Sequence, residues 1–229
     1  MSHFSYWAGL DTPGASQSEV RRFNEFYWST HVPEVLAHNP GFVRCDRYEL
    51  VQPDERGDLG PRWLTRYTMD AAAATQYVDQ NSRPGYVMPY TAFPALGCQI
   101  IVRWRLLWEH LASSGDATFE SKRIRVIGMD PSDQSTGVQL REFNEFYDDV
   151  HLLEARLILG ATHAARFELA RSFLASVDMP PRYAALYELD GPSRAPETWT
   201  SQLSTGPLAW ENRNTQWRLE YERIESPVQ

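Results

Sequence analysis

Phe23-Asn24-Glu25-Phe26-Tyr27 returns unchanged as Phe143-Asn144-Glu145-Phe146-Tyr147, 120 residues further on. A fixed period of this kind has to be read before anything else, because it decides the architecture. The echo extends outward in register. His31 and Glu34 recur as His151 and Glu154. Gly41 pairs with Gly160, Arg47, Glu49 and Leu50 with Arg166, Glu168 and Leu169, and Pro61-Arg62 with Pro181-Arg182. Tyr67 and Asp70 match Tyr187 and Asp190, and Trp104-Arg105-Leu106 matches Trp217-Arg218-Leu219. So many coincidences in the same order, at offsets of 120, 119 and finally 113, exclude chance. The 229 residues therefore divide into two copies of one unit, 1–115 and 116–229.

Each copy predicts the same elements. A short strand (Phe4 to Leu10, Ile124 to Met129) leads into a helix (about Ser18 to Thr30, Gly137 to Val150) with apolar residues three and four apart. Ser16 or Ser18 and Thr136 are the candidate N-caps. Strands follow from Gly41 or Gly160 and from Arg62 or Arg182. Asp70 and Asp190 are placed to start a second helix, Ala71 to Gln80 and, less regularly, Ala195 to Leu203. The last strand is the clearest: Trp217, Leu219 and Tyr221 alternate with Arg218, Glu220 and Glu222. Its counterpart places Ile100, Val102, Trp104, Leu106 and Trp108 on one face. The order β-α-β-β-α-β, twice, is the ferredoxin-like split βαβ arrangement. Such an α+β sheet carries helices on one face only. A second copy covers the other, closing an α/β barrel within one chain.

FNEFYWSTHVPEVLAHNPGFVRCDRYEL and its echo FNEFYDDVHLLEARLILGATHAARFEL resemble the dimeric α/β-barrel superfamily, and within it the EthD-like proteins. The resemblance spans both halves. It implies a small hydrophobic ligand, and an acid–base lyase, isomerase or cyclase acting without a cofactor on an aromatic or polyketide-like carbonyl compound. A cofactor-free monooxygenase and a non-catalytic binding or stress-response protein are the alternatives it leaves. Haem also occurs in the superfamily, and nothing in the sequence selects a histidine to hold it. The second copy departs from the pattern, with Leu153 for Pro33 and Ala161 for Phe42.

His31 carries the chemistry in this reading. Asn24 and Tyr27 stand seven and four residues before His31, so the three share one helical face. Pro33 lacks a backbone donor, so a kink or stop is expected near His31. His31 is then a general base, Tyr27 a donor to a developing oxyanion, and Asn24 and Glu34 orienters. The same residues also read as a self-satisfied packing cluster. His151 and Tyr147 repeat the constellation, with Asp148 and Asp149 expected to raise the His151 pKa. Arg44, Asp46 and Tyr48 share a strand face with Phe42, and Arg44 corresponds to His163. No metal is expected: His31, Glu34 and His38 are spaced three and four apart, but Pro33 interrupts them and no zinc motif is present.

Between the second helix and the last strand the period falls to 113, so the first copy is 7 residues longer there. The extra region, through Tyr86, Met88, Tyr90 and Phe93, is stiffened by prolines and rich in aromatics. It predicts a wall or lid over the first-half cavity. With Trp104 and Arg44, these side chains complete the expected substrate contacts.

Composition bounds the rest. Aromatics are 13% and the net charge is −8, which disfavours nucleic acid and anionic membrane as partners. No uncharged apolar run reaches about 18 residues, the length of a membrane-spanning helix. Met1 to Leu10 does not read as a signal peptide. Cys45 and Cys98 stand alone, which fits a cytoplasmic chain.

Overall fold

A computed structural model describes residues 3–53, 57, 60–117, 120–132, 135–174, 179–193 and 202–226. Eight antiparallel strands close into a barrel in the order β1-β3-β2-β8-β5-β7-β6-β4. They are β1 His3–Asp11, β2 Phe42–Gln52, β3 Trp63–Asp70, β4 Ile101–Gly115, β5 Arg123–Asp130, β6 His163–Ser172, β7 Tyr183–Leu189 and β8 Asn214–Arg223. The seams between the halves are β2 against β8 and β4 against β6. Helices cover the outside. No helix among the described residues is long and apolar enough to cross a membrane.

The first helix starts where the capping residues dictate. Ser16 accepts from the Glu19 amide while Glu19 reaches back to the Ser16 amide, and Thr136 and Gln139 do the same for its counterpart. It does not stop at Thr30. It runs as α1 (Gln17–Phe26), a π-helical turn (Tyr27–His31) and α2 (Val32–His38). The second half repeats this as α4 (Gly137–Phe146), a π turn (Tyr147–His151) and α5 (Leu152–Leu159). Both halves have the widened turn and only the first has a proline after it, so Pro33 is not its cause. Asp70 caps α3 (Ala71–Asn81) through the Ala73 amide. Residues 195–201 of the expected second-half counterpart lie outside the described residues. A short helix, α6 (Leu208–Glu211), follows them.

The inside of the barrel is one apolar cluster containing Trp7, Leu64, Trp108, Val126, Phe167, Leu186 and Leu219. Trp104 and Trp217 stack across it, ring centroids 4.3 Å apart, so the two sheets meet through these faces. That stack needs two glycines. A Cβ on Gly9 would lie 2.9 Å from the Trp104 Cβ, and one on Gly128 2.5 Å from the Trp217 ring.

Two bulges correct the expected faces. The register slips between Phe42 and Arg44, so Phe42 packs outside with Tyr67 and Tyr77, whereas Tyr48 points into the barrel. It slips again opposite Gly9 and Leu10, sending Val102 to the helix side while Trp104, Leu106 and Trp108 stay inside.

Candidate functional site

The π turn sets Tyr27 and His31 against the outer face of β1 and β3. There they border a cavity of about 280 Å³ between sheet, helix and the long loop. Tyr6 and Arg105 line it from the sheet, Tyr77 from α3, and Met88, Tyr90, Thr91 and Phe93 from the loop. Single-turn π bulges concentrate at functional sites because they push side chains off the helical lattice.

The His31 ring is hemmed by Tyr27 (4.6 Å between centroids), Tyr90 and Phe93 (5.3 Å each), and its Nδ1 is buried with no hydrogen-bond partner. Burial pushes its pKa down to about 4; Glu34 opposes the shift and Arg47 adds to it. The imidazole is therefore neutral at pH 7. The Tyr27 oxygen accepts from Thr65 Oγ1 at 3.1 Å, which leaves its own proton to donate. Burial raises its pKa to about 12, so that proton stays in place.

Other expected residues go elsewhere. Glu34 does not touch His31. Its carboxylate accepts from the Thr91 amide and hydroxyl and ties the loop to α2. Asn24 is off the cavity wall, with its Oδ1 buried and unpartnered. Tyr86 lies apart on α3, bonded to Gln80. Trp104 is in the barrel interior. Arg44 lies on the barrel side, clamped on Asp46 by bonds of 2.7 and 2.8 Å. His38 gives its Nδ1 to the Glu34 carbonyl, and no group of three metal-ligating side chains occurs among the described residues.

The second half keeps the residues, and among the described residues an indole packs on them. Trp210 packs on Phe143, Phe146 and Tyr147 and approaches the His151 ring to 4.2 Å. Burial, with Arg213 and Arg166, pushes the His151 pKa down to about 3. The expected rise from Asp148 does not occur, because Asp148 accepts from Arg166 at 2.7 Å.

Sequence reasoning missed two arginines. Arg105 reaches the Tyr6 hydroxyl at 3.1 Å, the Tyr77 hydroxyl at 3.4 Å and Asn81 Oδ1 at 2.8 Å, and it puts a cation on the cavity wall. Its match to Arg218 in the repeat was the available signal. Arg47 is 1% exposed, its guanidinium 3.8 Å above the Tyr27 ring, with all three nitrogens lacking a hydrogen-bond partner. Its counterpart Arg166 is held by Asp148 and by Asn144 Oδ1. Trp28 stands where Asp148 would be, so only the first half keeps an uncompensated cation beside its tyrosine.

The fold and this pocket define the class: an antiparallel dimeric α/β barrel completed by one chain, with a ligand-sized space between sheet and helix in its first half. Comparison with solved structures agrees. A protein assigned as a chlorite dismutase superposes with TM-score 0.53 at 10% identity, over 99% of this chain and 96% of its own. Chlorite dismutase from Candidatus Nitrospira defluvii, in complex with imidazole, gives 0.51 at 10% identity over 97% and 91%. At such identities the likeness is one of fold. No family model and no curated protein matches the chain.

Haem, one group that the sequence resemblance allowed, does not fit the His31 and His151 sites. The His31 cavity lies at the lower limit of small-ligand pockets, roughly 300 Å³. Three aromatic rings crowd the imidazole at centroid distances of 4.6, 5.3 and 5.3 Å. In the second half the space beside His151 is taken by Trp210.

Proposed function

We propose that the chain is a duplicated, EthD-like barrel whose ferredoxin-like halves, 1–115 and 116–229, have diverged. On this reading the first half is an acid–base enzyme for a small hydrophobic carbonyl compound, aromatic or polyketide-like. The observation that carries the reading is a neutral imidazole with an unpartnered nitrogen on the wall of an aromatic cavity that also presents an arginine. His31 takes a proton from the carbon next to the carbonyl. Tyr27 and Arg105 stabilise the enolate oxygen that forms. The loop excludes water, which strengthens both interactions. With its pKa near 4, His31 is a weak base, so the stabilisation of the oxyanion has to supply much of the driving force.

Proton abstraction is read directly as deuterium uptake from D2O at the α-carbon of aryl ketones. The native protein is expected to speed uptake, His31→Ala to abolish the acceleration, and His151→Ala to preserve it. Equal loss in both variants, or no uptake across a panel of enolisable ketones, sinks the reading. Oxygen consumption without uptake would select the cofactor-free monooxygenase instead. Saturable binding with neither signal would select a non-catalytic binding protein.

A further inference from the structure

A second cavity, of about 510 Å³, lies at one end of the barrel. Trp104 and Trp217 occupy the other end, beside Gly9 and Gly128; this end is reached along β1 at Ser5 and along β7 at Glu188. Its apolar wall continues the barrel core through Ala165 and Phe167. Its polar lining includes His3, Thr68, Asp70 and His110, and its deepest polar groups are Arg66, Glu188 and His163.

The polar groups are incompletely satisfied. Asp46 is taken by Arg44 at 2.7 Å and Arg223 at 3.0 Å, so Arg66 reaches it only at 3.3 Å and Glu188 only at 3.4 Å. Arg66 Nε and Glu188 Oε2 are both buried with no partner, on residues 5% and 2% exposed. His163 Nδ1 lies 3.8 Å from the other Glu188 oxygen. An unmade hydrogen bond on a buried charged group is costly, and here two such groups belong to residues that line one cavity.

We infer that this barrel-end cavity is a second small-molecule site, for a neutral ligand with an aromatic or similarly apolar body and a head that presents an acceptor beside a donor. The acceptor meets Arg66 Nε and the donor meets Glu188 Oε2. An anionic head would satisfy Arg66 but face the Glu188 carboxylate; a cationic head would do the reverse. Amides and hydroxycarbonyl compounds have the required pair. The body lies against Phe167 and Ala165. This site is independent of the reading of His31, because the two cavities share no lining residue.

Benzamide is the probe, with toluene and benzoate as controls, measured by titration calorimetry on the full chain. Benzamide is expected to bind one to one and more tightly than either control. Ala165→Phe fills the cavity and is expected to weaken it at least about tenfold. Ser113→Trp, at an exposed position on the lining, is expected to do the same without touching the core. Ala8→Phe, which blocks the His31 cavity, is expected to leave binding unchanged. The inference is overturned by no benzamide binding, or by toluene or benzoate binding as tightly. It is equally overturned if binding is lost in Ala8→Phe, or survives in folded Ala165→Phe and Ser113→Trp.

Discussion

His31 and His151 are buried neutral, and that has a consequence for stability. Their folded pKa values, about 4 and about 3, lie below the ordinary 6.5. Between pH 6.5 and those values the unfolded chain binds more protons than the folded one, so stability falls as pH falls. His110 is shifted in the same direction by burial and by His3 and His163. The buried carboxylates Asp46 and Glu188 are shifted down from values near 4, so their contribution is lost only at lower pH. The window from pH 6.5 to about 4.5 thus belongs to the histidines, each contributing a slope of up to about 1.4 kcal/mol per pH unit. Urea unfolding across that window is expected to show the slope, and His151→Phe to flatten it by one histidine's share. An unchanged slope in a folded His151→Phe protein would mean that His151 is not buried neutral.

At the scale of elements, the loop from Ser82 to Phe93 is tied at Thr91 by a carboxylate, while Asn39 donates to the Tyr90 hydroxyl at 2.8 Å and Gln80 to that of Tyr86. Glu34 grips Thr91, and Glu154 grips Ser204 by the same pair of bonds in the second half. Glu34 is therefore a latch between α2 and the loop, linked to the His31 cavity through the walls that Tyr90 and Phe93 form. Both carboxylates are exposed and held below the usual range by the Thr91 and Ser204 bonds. Glu34→Ala is expected to speed hydrogen exchange at the Thr91 amide and protease cleavage within residues 82–93. The melting temperature should change little, since exposed ties contribute little to global stability. If exchange at Thr91 is unaltered, the loop is held by its aromatics and by the Asn39–Tyr90 and Gln80–Tyr86 bonds, and Glu34 is no latch. Phe93 and Trp210 do the same packing on their respective helices, but the indole is larger and lies closer, and that closes the second half.

For the whole molecule, the apolar face of each sheet is the inside of the barrel, and each half covers the other. A half expressed alone would expose Trp7, Trp108 and Leu64, or Ile124, Leu186 and Leu219, to water. That costs roughly 25 cal/mol per Å². Residues 116–229 on their own are expected to pair with a second copy or aggregate, as sedimentation would show. A stable soluble monomer of either half would remove the reason for the barrel to be one unit.

Much of this was legible from residues alone. The repeated segment announced two helices of the same build, strict alternation in Thr215 to Arg223 announced β8, and Ser16, Thr136 and Asp70 announced the caps. The aromatic loop announced a wall for the His31 cavity, and Met88, Tyr90 and Phe93 line it. These readings succeed because periodicity, capping and loop length are local, or are repeated along the chain. Tertiary structure alone decided which face Phe42 and Val102 take, since a one-residue bulge reverses a strand's faces and is set by the neighbouring strand's register. It alone decided that Trp210 fills the second cavity, that Glu34 holds a loop and not a histidine, and that Arg47 is left without a counter-ion while Arg166 has one. Each of these depends on groups far apart in sequence meeting in one place, and a pattern along the chain does not record that.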